Sequence, residues 1–211
     1  MKIAFIGYGQ VGAPLAAHLQ RLGHSVTLAA NDPNSDSVKK ALARNPALEV
    51  AAPAEAAAGA DVVFLATPFQ ANAAALGAVA EQLKGKILVD CTNPVGAGLS
   101  HGLNSVQSGS QMVQGLAPQS KVVKAFTIYG FENFEDNAFP GYGVKPAMLY
   151  CGDDAAAKQT VGELIAELGW EPVDVGGLDQ ALHLEHMTLL WIRMVRVHGN
   201  PPGLVWARLK R

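Results

Sequence analysis

Residues Gly7-Tyr8-Gly9-Gln10-Val11-Gly12 form a complete G-x-G-x-x-G. The chemistry available to such a run is the binding of two linked phosphates. Gly7 permits a tight turn, Gly9 lets the backbone approach a pyrophosphate with no Cβ in the way, and Gly12 lets the following helix pack close to the preceding strand. The helix then presents free N–H groups and a partial positive charge to the anion. The pattern by itself is weak. Here it follows the apolar run "KIAFI" and opens the helical pattern Val11, Leu15, Leu19, Leu22, which is the context it requires.

The next residues able to do chemistry lie about a strand further on. Asp32 stands 20 residues beyond Gly12, beside Asn31, where a carboxylate commonly receives the ribose hydroxyls of a dinucleotide. Its charge would repel a 2′-phosphate. Pro33 holds Asp32 extended and could turn the side chain away, leaving Asn31, Ser35 and Ser37, with Lys39 or Lys40 nearby, to face a phosphate. Asp32 could equally be a turn residue. Two later loops, "ATPF" with Thr67 and Pro68 and "CTNP" with Asn93 and Pro94, follow apolar runs and are expected to wall the same channel. "KAFT" brings Ala125 and Thr127 to the same edge, and Tyr129 follows.

Other constellations are set against simpler readings. His183 and His186, with Glu185 between them, stand at helical spacing, but two histidines without a third ligand read better as a surface or interface face than as a metal site. Met187, Leu190, Trp191 and Met194 share a helix and read as core or dimer contact, or else as an apolar wall against an acceptor ring. The basic stretch 193–211 reads as a solvated helix. No Ser/His/Asp arrangement, defensible catalytic lysine or metal cluster is found, so no catalytic residue and no metal ligand is assigned.

Eight short apolar runs must position these residues: 2–7, 24–30, 48–51, 61–68, 85–94, 121–126, 147–154 and 171–176. Helical patterns separate most of them, including 35–44, 70–83, 109–117, 155–169 and 179–199, while 127–146 reads as a loop rich in Gly, Pro and aromatics. Alternation of this kind predicts an α/β fold, a Rossmann-type doubly wound and mainly parallel sheet with a small α/β C-terminal extension. The expected division is 1–145 for dinucleotide binding and 146–211 for a small cap and dimer helix. The 211 residues, 49% of them hydrophobic, suffice for a buried core, and a net charge of −2 without a basic run argues against nucleic acid. Cys91 and Cys151 are far apart and are expected reduced and buried. The apolar start is too short for a secretory signal and no run approaches a membrane span, so a cytoplasmic location is expected.

Taken in order, "MKIAFIGYGQVGAPLAAHL", "ADVVFLATP", "ILVDCTNP", "KVVKAF" and "LYCGDDAAAKQTVGELIAELGWEPVDVG" make the chain resemble the NADP oxidoreductases that use the deazaflavin coenzyme F420. The resemblance covers nearly the whole chain. The nucleotide domain also resembles the cytosolic part of membrane metalloreductases, which relay hydride to a flavin. The resemblance implies NADP, with NAD possible, and hydride exchange with a flavin or deazaflavin. A homodimer formed through the C-terminal helix, without membrane or nucleic-acid partners, is expected from the residues themselves. Two departures stand out: Thr127 where the family usually has Asn, and Ala30, Asn31 and Asp32 where it usually has Ser and Arg for the 2′-phosphate. A non-catalytic dinucleotide sensor and a reductase of a small imine or carbonyl remain as alternatives.

Overall fold

The computed structural model describes residues 1–136 and 138–211. Eight strands form one sheet: β1 (Lys2–Ile6), β2 (Ser25–Ala29), β3 (Glu49–Ala51), β4 (Val62–Leu65), β5 (Ile87–Asp90), β6 (Lys121–Lys124), β7 (Ala147–Gly152) and β8 (Glu171–Asp174). Their order is β3-β2-β1-β4-β5-β6-β7-β8. The first six run parallel, β7 returns antiparallel to β6, and β8 lies parallel to β7. The order reverses between β1 and β4, which opens a crevice at their carboxyl ends.

The helices are α1 (Gly12–Arg21), α2 (Asp36–Arg44), α3 (Pro53–Gly59), α4 (Asn72–Gly77), α5 (Gly109–Leu116), α6 (Glu132–Glu135), α7 (Ala155–Glu167) and α8 (Ala181–Ile192). They cover both faces, which explains why the central strands read as unbroken apolar runs. Along β1 and β4, Ile3, Phe5, Val62 and Phe64 enter one core with Leu15, Leu19 and Trp170. Their neighbours Ala4, Ile6, Val63 and Leu65 enter the other, with Leu76, Val79 and Val113. Phe5 stacks on Phe64 with ring centroids 4.6 Å apart, and each large side chain so buried contributes about 1.5–3 kcal/mol.

Three expected elements take a different form. The Ala-rich helix expected over 70–83 is a 3-10 turn, Phe69–Ala71, followed by the short α4. Gly77 weakens helix propagation, while Val79 and Leu83 stay buried through turns. Inside the stretch expected to be a loop, α6 forms and is tied down by Glu135, whose Oε1 accepts from Arg44 at 2.7 Å. The long final helix begins as a 3-10 turn and relaxes into a π-helical segment, Arg193–Val197.

The basic stretch beyond it is a strap rather than a solvated helix. Leu204 O accepts from Trp191 Nε1 at 2.7 Å, Trp206 O accepts from Ala147 N at 2.8 Å, and Trp206 N donates to the Tyr129 hydroxyl at 3.0 Å. Apolar residues Leu204, Val205 and Trp206 pack on the core, which outweighs the preference of the neighbouring charges for water. Among the described residues, no helix is long and apolar enough to cross a membrane.

Candidate functional site

The three glycines of the cradle differ in what surrounds them. A Cβ on Gly7 would lie 2.6 Å from the backbone of Ala66, and its φ of +91° is left-handed. A Cβ on Gly12 would lie 2.2 Å from the carbonyl oxygen of Gly7. Gly9 has nothing among the described residues within 4 Å of that position. Gly7 and Gly12 therefore close the turn upon itself, and Gly9 leaves its outer side open. Among the described residues no side chain caps α1; Ala13 N donates to Gly9 O at 3.0 Å, and the helix start still turns its partial positive charge toward an anion. A cleft of about 580 Å³ opens here, walled by Gly7, Tyr8, Gly9, Asn31, Asp32 and Thr67, among others. These dimensions and donors fit a dinucleotide. Gln10 is exposed and Val11 half-buried at the start of the helix.

At the ribose end, Asp32 Oδ1 accepts from Asn34 N at 2.8 Å, so the carboxylate also builds the turn through Pro33. Ser35 caps α2 by accepting from Val38 N at 3.4 Å, and its hydroxyl lies 3.2 Å from that of Ser37. Both serines line the cleft beside Asp32.

A polar relay joins the loops after β4 and β5. Thr67 Oγ1 donates to Asn72 Oδ1 at 2.7 Å, Asn72 Nδ2 donates to Thr92 Oγ1 at 2.9 Å, and Thr92 Oγ1 donates to Asp90 Oδ1 at 2.7 Å. Pro68 begins the 3-10 turn within this loop. Asn93 Nδ2 donates to Thr127 O at 3.3 Å, and Thr188 Oγ1 donates to the same oxygen at 2.8 Å. Thr127 Oγ1 is buried and has no partner among the described residues. Ala125 is fully buried and Pro94 lines a second, smaller cavity of about 270 Å³ with Phe69, Asn72 and Met112. Tyr129 is in the core, stacked on Trp170 at 5.2 Å, and its hydroxyl donates to Ala147 O. Burial pushes the Tyr129 phenol well above its ordinary pKa.

Behind these loops lies a buried ionic cluster that sequence reasoning missed. Lys124 Nζ reaches Thr92 O at 2.7 Å, Glu185 Oε1 at 3.0 Å and Asp90 Oδ2 at 3.3 Å. Glu185 also accepts from Gly109 N at 2.9 Å, at the start of α5, and lies 2.7 Å from His101 Nε2. Ser110 Oγ donates to Asp90 Oδ2 at 2.5 Å. His101 Nδ1 accepts from Leu103 N and Ser105 N at 3.3 and 3.2 Å, which assigns the ring proton to Nε2 and leaves the imidazole neutral. One ammonium thus faces two carboxylates, and the surplus negative charge meets the positive end of α5. Burial alone would lower the Lys124 pKa; Asp90 and Glu185 outweigh it and hold the amine above its ordinary value.

A signal for half of this cluster was present. Asp90 and Lys124 end two apolar strands and pair in register across them. Glu185 had none, because its helix supplies it to a partner 61 residues upstream. The two flanking histidines, His183 and His186, are exposed, and His186 stacks on His101 at 5.4 Å. Among the described residues, no group of three or more side chains could hold a metal ion. Trp191 is buried, Leu190 is half exposed, and Met187 and Met194 lie between these extremes. Cys91 and Cys151 are free and buried. Burial raises both thiols, that of Cys151 to about 12, which keeps them protonated and unreactive.

Comparison with known proteins gives a consistent result. Residues 2–94 match the family model "NADP oxidoreductase coenzyme F420-dependent". The F420-dependent NADP reductase of Methanothermobacter marburgensis is 32% identical over 209 residues, covering 92% of each chain. The metalloreductase STEAP3 of Rattus norvegicus is 32% identical over 189 residues, covering 89% of this chain and 36% of that protein, so the chain spans about a third of the metalloreductase. A crystal structure of a proposed F420-dependent NADP reductase from Arthrobacter sp. FB24 superposes with a TM-score of 0.86 at 33% identity, covering 96% of both chains. More distantly, an imine reductase from Streptomyces aurantiacus shares the fold, with a TM-score of 0.65 at 18% identity.

Proposed function

The chain belongs to the family of coenzyme F420-dependent NADP oxidoreductases, and from that premise we propose that it exchanges hydride between a nicotinamide dinucleotide and a flavin or deazaflavin. The observation that carries this reading is the open position at Gly9, set in a turn that Gly7 and Gly12 close, at the mouth of a cleft of about 580 Å³. Bound there, the dinucleotide supplies hydride from its nicotinamide ring or receives it.

The chain's own residues bind and orient. The backbone around Gly7, Gly9 and Gly12 receives the pyrophosphate, with Asn31 and Asp32 at the adenosine ribose. Thr67, Pro68, Asn93, Pro94 and Thr127 stand at the reactive end. The Thr67–Asn72–Thr92–Asp90 relay and the Asn93–Thr127–Thr188 contacts hold that end still. Orientation and exclusion of water are what hydride transfer asks of a protein. Lys124, the amine closest to these loops in sequence and topology, is fully buried and bonded to Thr92, Asp90 and Glu185, so it is no proton donor to a substrate. Homodimerisation through the outer face of α8 and the π-helical segment that follows it, where Leu190 and Val197 are exposed, and a cytoplasmic location complete the proposal.

The test is to mix the purified protein with NADPH or NADH and follow nicotinamide absorbance with F420, FMN, FAD and a cyclic imine in turn. Oxidation with F420 or a flavin is the expected outcome. Dinucleotide binding without oxidation by any acceptor would instead favour a sensor, and turnover with the imine alone would assign a different substrate class.

A further inference from the structure

We propose that Asp32 sets the choice of dinucleotide and lets this cleft accept NADH alongside NADPH, in contrast to the NADP named for its relatives. The inference rests on the assignment of the cleft to a dinucleotide and adds a specificity determinant to it. Three observations carry it. Asp32 lines the cleft at its ribose end, and among the described lining residues it carries the only charge. The carboxylate is held in place, with Oδ1 accepting from Asn34 N at 2.8 Å inside a turn whose next bond runs from Ser35 N to Asp32 O at 3.2 Å. Among the described residues no Lys, Arg or His is part of that lining; Lys39 and Lys40 are exposed further along α2, whose first turn borders it.

A carboxylate accepts strong hydrogen bonds from ribose hydroxyls, and it repels a phosphate esterified at the same place. The usual counter-arrangement is an arginine fork around the phosphate. Here the lining offers the neutral side chains of Asn31, Ser35 and Ser37 beside the carboxylate, and no arginine fork. Asp32 is exposed, so water and salt screen the effect and reduce it to a preference rather than an exclusion. NADPH is therefore tolerated and NADH gains.

The experiment is a fluorescence or calorimetric titration of the full chain with NADH and with NADPH. It measures affinity and needs no hydride acceptor. The unmodified protein is expected to bind the two within about tenfold of each other. Asp32→Ala should raise the NADPH-to-NADH affinity ratio by about tenfold. Asp32→Asn keeps an oxygen for the Asn34 bond and should move the ratio in the same direction, which separates lost charge from a disturbed turn. A discrimination in the unmodified protein above about tenfold in favour of NADPH, or a ratio unmoved by both substitutions, overturns the proposal while leaving the cleft assignment intact. Failure of both dinucleotides to bind overturns the cleft assignment and this proposal together.

Discussion

At the scale of single residues, Lys124 illustrates how a buried charge is kept. Removing a charge from water costs several kcal/mol, and only good geometry with further hydrogen bonds repays it. Lys124 has two carboxylates and a carbonyl within 3.3 Å, and Glu185 receives N–H groups from α5 as well. Lys124→Met removes the cation and leaves both carboxylates enclosed. The expected cost is about 3–5 kcal/mol in chemical denaturation, and a loss below about 1 kcal/mol would show that the cluster is slack. The sign with pH is also fixed. A lysine whose folded pKa is raised stabilises the fold fully below its unfolded value of about 10.4, and that contribution is lost as pH rises through the folded value. Stability of the unmodified protein should thus fall in the alkaline range above about pH 10.4, with a smaller fall in Lys124→Met.

At the scale of elements, the turn between β1 and α1 separates folding from binding. Gly12→Ala would set a Cβ 2.2 Å from Gly7 O, a contact with backbone that cannot move aside cheaply. Gly9→Ala meets nothing within 4 Å. The expectation is a Gly12→Ala protein that loses about 1–3 kcal/mol of stability through overpacking. Gly9→Ala should leave the melting temperature unchanged and weaken dinucleotide binding about tenfold or more, because its methyl group occupies the face offered to the pyrophosphate. Equal effects of the two on stability would contradict the division of roles.

The turn and strands β1, β4 and β5 were legible in the sequence because periodicity and glycine spacing are local. What escaped it was non-local. α4 starts only at Asn72, whose side chain is committed to Thr67 and Thr92, and ends at Gly77. Trp206 docks on Tyr129, 77 residues away. Glu185, read as a spacer between two histidines, is the buried anion between α5 and β6, whereas those histidines face water. At the site, Asp32 was legible as a position, but its bond to Asn34 N was not, because that bond depends on how the turn closes.

At the scale of the whole molecule, the C-terminal 66 residues from Pro146 onward are woven into the part that carries the cradle. β7 pairs with β6 through Lys124↔Cys151, Glu185 on α8 completes the ionic cluster behind the reactive loops, and Thr188 on the same helix holds Thr127 O. The strap from Leu204 to Trp206 closes over Tyr129 and Trp191. Cutting the chain before β7 would therefore bare the edge of β6 and strand Lys124 with one carboxylate fewer, both of which oppose independent folding. The two parts should unfold together. In calorimetry the full chain is expected to give one transition whose van't Hoff and calorimetric enthalpies agree. A saturating dinucleotide should shift that transition as a whole, by about 2.7 kcal/mol of added stability at a hundredfold excess over Kd. Two resolved transitions, with only the one that contains β1 and α1 moving on addition of dinucleotide, would show instead that the C-terminal region is an independent unit and that α8 does not hold the reactive end of the cleft in place.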